Sequence, residues 1–417
     1  MFSSDARPGS ALRISAGTAP GPVQTERTGW RPVPPSKTRR DDTGPGSAVR
    51  ITSGRRALVL RGLTPRDVTY TISERLPYER SVSGNCTSTP ETGDGMSDAP
   101  SMRELLGDDA PSNWGRWGAD DEIGALNFLG TKEVLSGIAE VESGDVFTLQ
   151  IHMGRKEAPG DPLWPSRSGI DRRNTLDESS WDGEDAPQFP GGLHYADDTA
   201  TLFLQGSTQY DALGHVWYDG KLWNGYDARS TVGSMDKASV LPIAEKGVVG
   251  RGILIDMARH RGKEWLDAGE TFDHNDLEAA AAAQGVTIEP RDILVIRTGW
   301  LKYWYSLEDT TEFYADFCEP GLTYSRGLVE WFRNREIPNL VTDTIANEVT
   351  TDPASGVALP LHCALMRNLG VALTEIAWLE DLADACAADN RWTFLYTAAP
   401  LKVVGGTGAP VNPVVIR

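Results

Sequence analysis

The stretch "QGSTQYDALGHVWYDG", residues 205–220, gathers Gln205, Gln209, Asp211 and His215 into eleven residues. If the backbone there is extended, side chains alternate, and Gln205, Ser207, Gln209 and Asp211 share one face. That face is too polar for ordinary core. A carboxylate beside an imidazole can bind a metal ion or run acid–base chemistry. Most Asp/His pairs at the D-x-x-x-H spacing are solvated or structural, so the spacing alone decides nothing. Histidine is scarce elsewhere: the others are His152, His194, His260, His274 and His362. His260 in "ARHRG" and His274 in "FDHND" read as solvent-facing. His152 ends a strand-like run, and His194 lies in a long loop. His362 begins a helix-like segment, and Glu375 follows at the end of the next strand, in "LTEIAW". Strand ends are where α/β proteins place reactive groups. A lone buried carboxylate is costly unless paired or metal-bound; backbone amides are the competing partners for Glu375.

These residues need a scaffold. "VFTLQIH" (146–152), "ATLFLQ" (200–205), "GILID" (252–256), "DILVIR" (292–297) and "NLVTD" (339–343) are short β-rich runs between turn signals. "NDLEAAAAAQG" predicts a helix opening on Asn275, with Glu278 completing a capping box, and closing on Gly285. "SRGLVEWFRNRE" predicts another, with Ser325 as N-cap. "LHCALMRNLG" sets Leu361, Leu365 and Leu369 on one helical face and stops at Gly370. The strand "VALTEI" and the helix "WLEDLADACAAD" follow. This alternation predicts an α/β fold in one large domain over residues 102–417. Residues 153–199 carry little periodicity. A loop this long is functional, disordered or a surface insertion, and its place just before Asp211 suits a cover over a substrate.

The chain has 417 residues and a net charge of −19, which argues against nucleic acid as a partner. It contains no apolar run long enough to span a membrane. Residues 1–95 carry 14 Lys+Arg against 9 Asp+Glu, whereas the remainder is strongly acidic. The early part is rich in Pro, Gly, Ser and Arg and cannot bury enough apolar surface to fold. Residues 1–101 are therefore expected to be a disordered extension or a leader, with Met96 or Met102 as a natural first residue. Cys86, Cys318, Cys363 and Cys386 form no C-x-x-C pair; small core cysteines and a reducing, cytoplasmic setting are expected.

"QGSTQYDALGH" resembles H-x-G-T-H-x-D-x-P-x-H, the motif of the cyclase superfamily, which includes bacterial kynurenine formamidase and isatin hydrolase. The likeness runs through most of residues 110–417, in "NWGRWGADDEIGALNFL", "GRGILIDMAR", "DILVIRTGW", "PGLTYSRGLVEWF" and "LPLHCALMRNLGVALTEIAWLEDLA". It implies a kynurenine-formamidase-like fold of the swivelling β/β/α kind, a homodimer and a small-molecule substrate. In the formamidase relatives, two histidines, an aspartate and a glutamate hold one zinc; the aspartate, a later histidine and the glutamate hold a second. Carried over by motif, Asp211, His362 and Glu375 become metal ligands, and His215 the proton donor and acceptor. Both histidines of the first site are glutamine here, Gln205 and Gln209, and Leu213 replaces the motif proline. Imidazole is a good zinc ligand, and an amide oxygen a poor, hard one. The expectation is one divalent ion, zinc or manganese, with a metal-free site as the alternative. Gln205 and Gln209 are then candidates for substrate or weak metal contact. The implied reaction is opening of an amide, lactam or lactone in a small molecule, aromatic ones included. A natural-product cyclase or dehydratase and a non-catalytic binding protein are the competing readings. Trp217, Tyr218, Trp223 and Trp300 are candidates for an aromatic pocket or for plain core, and Asp343 for support of the site or a structural cap.

Overall fold

The computed structural model describes residues 49–53, 56–60, 99–178, 181 and 189–417. Most of the expected extension, and Met96 with it, lies outside the described residues. Val49–Ser53 pairs antiparallel with Arg56–Leu60. Residues Arg80–Arg417 form one compact unit.

That unit is built on nine strands in a single sheet: β1 (Val146–Thr148), β2 (Gln209–Asp211), β3 (Val248–Asp256), β4 (Ile293–Arg297), β5 (Asn339–Thr342), β6 (Ala372–Glu375), β7 (Thr393–Ala398), β8 (Gly408–Pro410) and β9 (Val414–Ile416). Their spatial order is β8-β2-β6-β5-β4-β3-β7-β9-β1. The middle four, β6-β5-β4-β3, are parallel. The flanking pairs are antiparallel. Parallel strands need both faces covered, and "ILVIR" of β4 is accordingly buried at every residue. The covering helices include α1 (Thr131–Ala139), packed on β3 and β7, α2 (His274–Gln284), packed on β3, and α3 (Arg326–Arg335). The α/β expectation holds, and the crossovers leave the carboxyl ends of β3 to β6 together at one edge.

Several details differ from the sequence reading. The run at 200–205 does not enter the main sheet. Only Asp198–Thr201 is extended, in a wholly exposed hairpin with Asp171–Asn174. Helix α2 is capped two residues earlier than expected, at Asp273. Asp273 accepts from the Asn275 and Asp276 N–H groups, and Asp276 closes the box. The Ser325 cap and the Gly285 and Gly370 stops are as read. The segment after Leu361 is a π-helix, His362–Leu369, with every residue buried. Cys363 and Cys386 are free and buried, but Cys318 is disulfide-bonded, which corrects the reading of all four cysteines as plain core residues. Among the described residues no helix is long and apolar enough to cross a membrane.

Candidate metal centre

Strand β2 lies between β8 and β6, and its register sets Gln209 opposite Glu375. Gln209 donates from Nε2 to Glu375 Oε2 at 2.7 Å. Two residues on, and so on the same face, β2 presents Asp211. The third member comes from the loop after β5, where the π-helix begins with His362. Ligand atoms of Asp211, His362 and Glu375 all lie within 4.8 Å of one another, and all three residues are buried.

Backbone and side chains hold this arrangement firmly. The Thr208 hydroxyl donates to the Ile376 carbonyl at 2.6 Å and accepts the Ile151 N–H at 3.0 Å, tying β2 to the residue after Glu375. Ile376 itself is β-branched yet sits at a φ of 56°. Such a conformation persists only where the surroundings impose it, and it gathers at functional sites. Glu348 accepts from the Leu361 N–H, the His362 N–H and His362 Nδ1, each within 2.8 Å. One carboxylate thus caps the π-helix and fixes the imidazole, leaving Nε2 to face Glu375 Oε1 at 3.1 Å. A carboxylate behind a ligating histidine orients it and raises its basicity.

The electrostatics of the cluster suit a cation. Burial alone would lower the basicity of His362, but the Glu348 and Glu375 carboxylates hold it up at about 10. Burial, reinforced by Asp211, pushes Glu375 up to about 7. Asp211 Oδ1 and Gln209 Oε1 are buried acceptors with no hydrogen-bond partner among the described residues. Orphaned acceptors are rare and costly, and these two, one on Asp211 of the cluster and one on Gln209 next to it, fit a cation held there.

A cavity of about 220 Å³ opens on the cluster. His215 lines it, a quarter exposed, with Nε2 at 4.0 Å from Asp211 Oδ2, too far for a hydrogen bond. Burial keeps His215 below its ordinary pKa, with Arg167 and His362 adding to the effect and Asp211 opposing it. Trp164, Ser166 and Arg167 of the unpatterned segment form part of the wall. Gln205 is buried but turns away: its Nε2 donates to the Thr407 hydroxyl, and it is the backbone carbonyl of Gln205 that accepts from Arg167. The aromatic candidates do not line this cavity. Trp223 and Trp300 are fully buried core, Trp217 is exposed, and Tyr218 lies over the Arg367 guanidinium in a separate cleft. Asp343 caps the turn after β4, accepting from the Thr298 and Gly299 N–H groups. His152 borders another surface cleft, and His194 stacks on Trp181. Glu348 and Arg167 carry no local signal that would single them out in the sequence.

Residues 127–349 match the family described as "Putative cyclase". A crystal structure of a novel cyclase is 33% identical, covering 74% of this chain and 100% of its own, with a TM-score of 0.66. Isatin hydrolase A from Labrenzia aggregata, bound to benzyl benzoate, is 19% identical over 68% of this chain and 97% of its own, with a TM-score of 0.46. Isatin hydrolase A from Ralstonia solanacearum is 18% identical over 68% and 95%, also with a TM-score of 0.46. No curated protein matches the chain.

Proposed function

The chain belongs to the cyclase family, and from that premise we propose that it is a metal-dependent hydrolase opening an amide, lactam or lactone bond of a small molecule. The observation that carries the reading is the buried Asp211/His362/Glu375 cluster with two orphaned acceptors at its side. Asp211, His362 and Glu375 would hold one divalent ion. Gln209 Oε1 stands as a further oxygen donor, its amide turned by the bond from Nε2 to Glu375. This oxygen-rich set with a single imidazole suits manganese as well as zinc. The chemistry such an ion supplies is a water of lowered pKa, toward ~7, and polarisation of a carbonyl.

The remaining work falls to the protein's own groups. Burial holds His215 below its ordinary value and so favours its neutral form. It can therefore accept a proton at the cavity wall and return it to a leaving nitrogen or oxygen. Trp164, Val216, Ile345 and Leu359 give the cavity apolar walls. With Glu348 accepting at Nδ1, Nε2 would be the nitrogen that His362 offers to an ion.

The test is elemental analysis of the purified full chain beside Asp211→Ala and His362→Ala, followed by a screen of amides, lactams and lactones. About one zinc or manganese per chain, lost in both variants, is expected. Hydrolysis should be metal-dependent, with solvent oxygen entering the product. A wild-type protein that takes up no metal on reconstitution would overturn the proposal.

A further inference from the structure

Arg167 is placed as if a partner were missing. It lies on the wall of the 220 Å³ cavity beside His215, His362 and Glu375. Among the described residues it makes no ion pair, and its one hydrogen bond runs from Nη1 to the Gln205 carbonyl at 2.9 Å. A guanidinium has five N–H donors in a planar fork, so most of this one is unspent. Nor does it hang on a free loop. Trp304 Nε1 donates to the Gly160 carbonyl at 3.1 Å, and the Tyr314 hydroxyl donates to the Leu163 carbonyl at 2.9 Å. Trp164 packs edge-on against Phe317 at 5.0 Å. Packing brings the segment to the cavity and holds it there.

The charges facing the cavity point the same way. Asp211, His362 and Glu375 are gathered in one buried cluster, and none of them pairs with Arg167 among the described residues. Glu348 faces His362 Nδ1 and the start of the π-helix and does not line the cavity. The Arg167 guanidinium thus has no ion-pair partner among the described residues, in a cavity whose other walls include Trp164, Val216, Ile345 and Leu359. A planar donor fork matches a carboxylate in two parallel hydrogen bonds.

We propose that the site takes a small substrate bearing a carboxylate, gripped by Arg167 while the apolar walls hold a compact hydrocarbon body. The inference rests on the hydrolase reading only for the placing of the scissile carbonyl at Asp211, His362 and Glu375.

The test is calorimetric titration of the full chain with benzoate and with benzamide, its neutral counterpart of the same shape. Wild type, Arg167→Met and Arg167→Lys are compared, each metal-loaded and each after chelation. Arg167→Met should weaken benzoate by about tenfold or more and leave benzamide unchanged, as expected for one charge-assisted hydrogen-bond pair. Arg167→Lys should keep part of the preference. Benzoate binding equally to wild type and Arg167→Met would overturn the proposal, since another cation would then hold the carboxylate. Equal loss of both ligands would overturn it too, assigning Arg167 to holding the wall, as would failure of wild type to bind either. Metal content on the same samples keeps the two readings apart. A wild type that takes up no metal on reconstitution yet shows an Arg167-dependent preference for benzoate would sink the hydrolase reading and leave this one standing.

Discussion

His362 sits between two carboxylates, Glu348 on Nδ1 and Glu375 on Nε2. Without a metal ion this is a proton-sharing triad, and its pH dependence has a definite sign. The folded-state pKa of His362 is about 10, above an unfolded value of about 6.5. A raised histidine contributes stability that is full below the unfolded pKa and is lost as pH rises through the folded one. In chelated protein, the gap in unfolding midpoint between wild type and Glu348→Gln should be open near pH 6.5 and close toward pH 10, as His362 gives up its proton. Thermal unfolding across that range reads it directly; a gap that stays flat or widens would contradict the triad. At this scale the sequence was informative only where a motif carried it. The resemblance supplied Asp211, His362, Glu375 and His215, and the fold gathers them around one cavity. Glu348 was invisible because it meets His362 across a loop with no periodic spacing. Gln205 was grouped with Gln209 because an unbroken strand would have put them on one face, and the strand starts only at Gln209.

The π-helix shows what an element does that its residues cannot. It begins on the candidate ligand His362 and ends where Gly370 turns left-handed at a φ of 73°. A methyl at Gly370 would lie 2.7 Å from Gly124 Cα and 2.8 Å from the Trp223 ring, in a place where the Ala125 N–H also donates to the Gly370 carbonyl. Gly370→Ala should therefore cost about 2–4 kcal/mol, combining left-handed strain with overpacking. Gly262, at a φ of 68° with open space around it, isolates the strain alone, and its alanine variant should cost about 1–2 kcal/mol. Urea unfolding of the two variants measures the difference, and equal losses would remove the packing part of the argument. The helix at 362–369 was readable from its leucines and its glycine stop, but not its wider turn. Every residue in it is buried, so no polar face marks the period. The run at 200–205 failed for the opposite reason. Local β preference makes a hairpin, but burial in the sheet depends on which neighbours the rest of the chain provides.

Over the whole molecule, charge and core divide the chain in the same way. Residues 1–79 hold 13 Lys+Arg and 7 Asp+Glu, so the net −19 of the full chain conceals a more acidic body. Repulsion in such a body opposes compaction and must be outweighed by its core. That core is large and continuous: one apolar cluster reaches from Leu106 to Val415 across the nine-stranded sheet, and a second surrounds Trp300 and Trp304. Composition set the basic, Pro- and Gly-rich start apart from the rest of the sequence, because it offers little apolar surface to bury. It could not say where the compact body begins. The compact unit starts at Arg80, ahead of the helix Met102–Leu106, whose Ser101 and Glu104 cap each other. All nine strands, both apolar clusters and the whole candidate site lie within Arg80–Arg417. A chain beginning at Arg80 should then unfold within about 1 kcal/mol of the full-length protein, inside the range of changes that touch no core or cap. Its metal content should be the same. Denaturant midpoints and elemental analysis of the two chains side by side give the answer. A clear loss of stability or of metal in the shorter chain would mean that residues before Arg80 help to build the body.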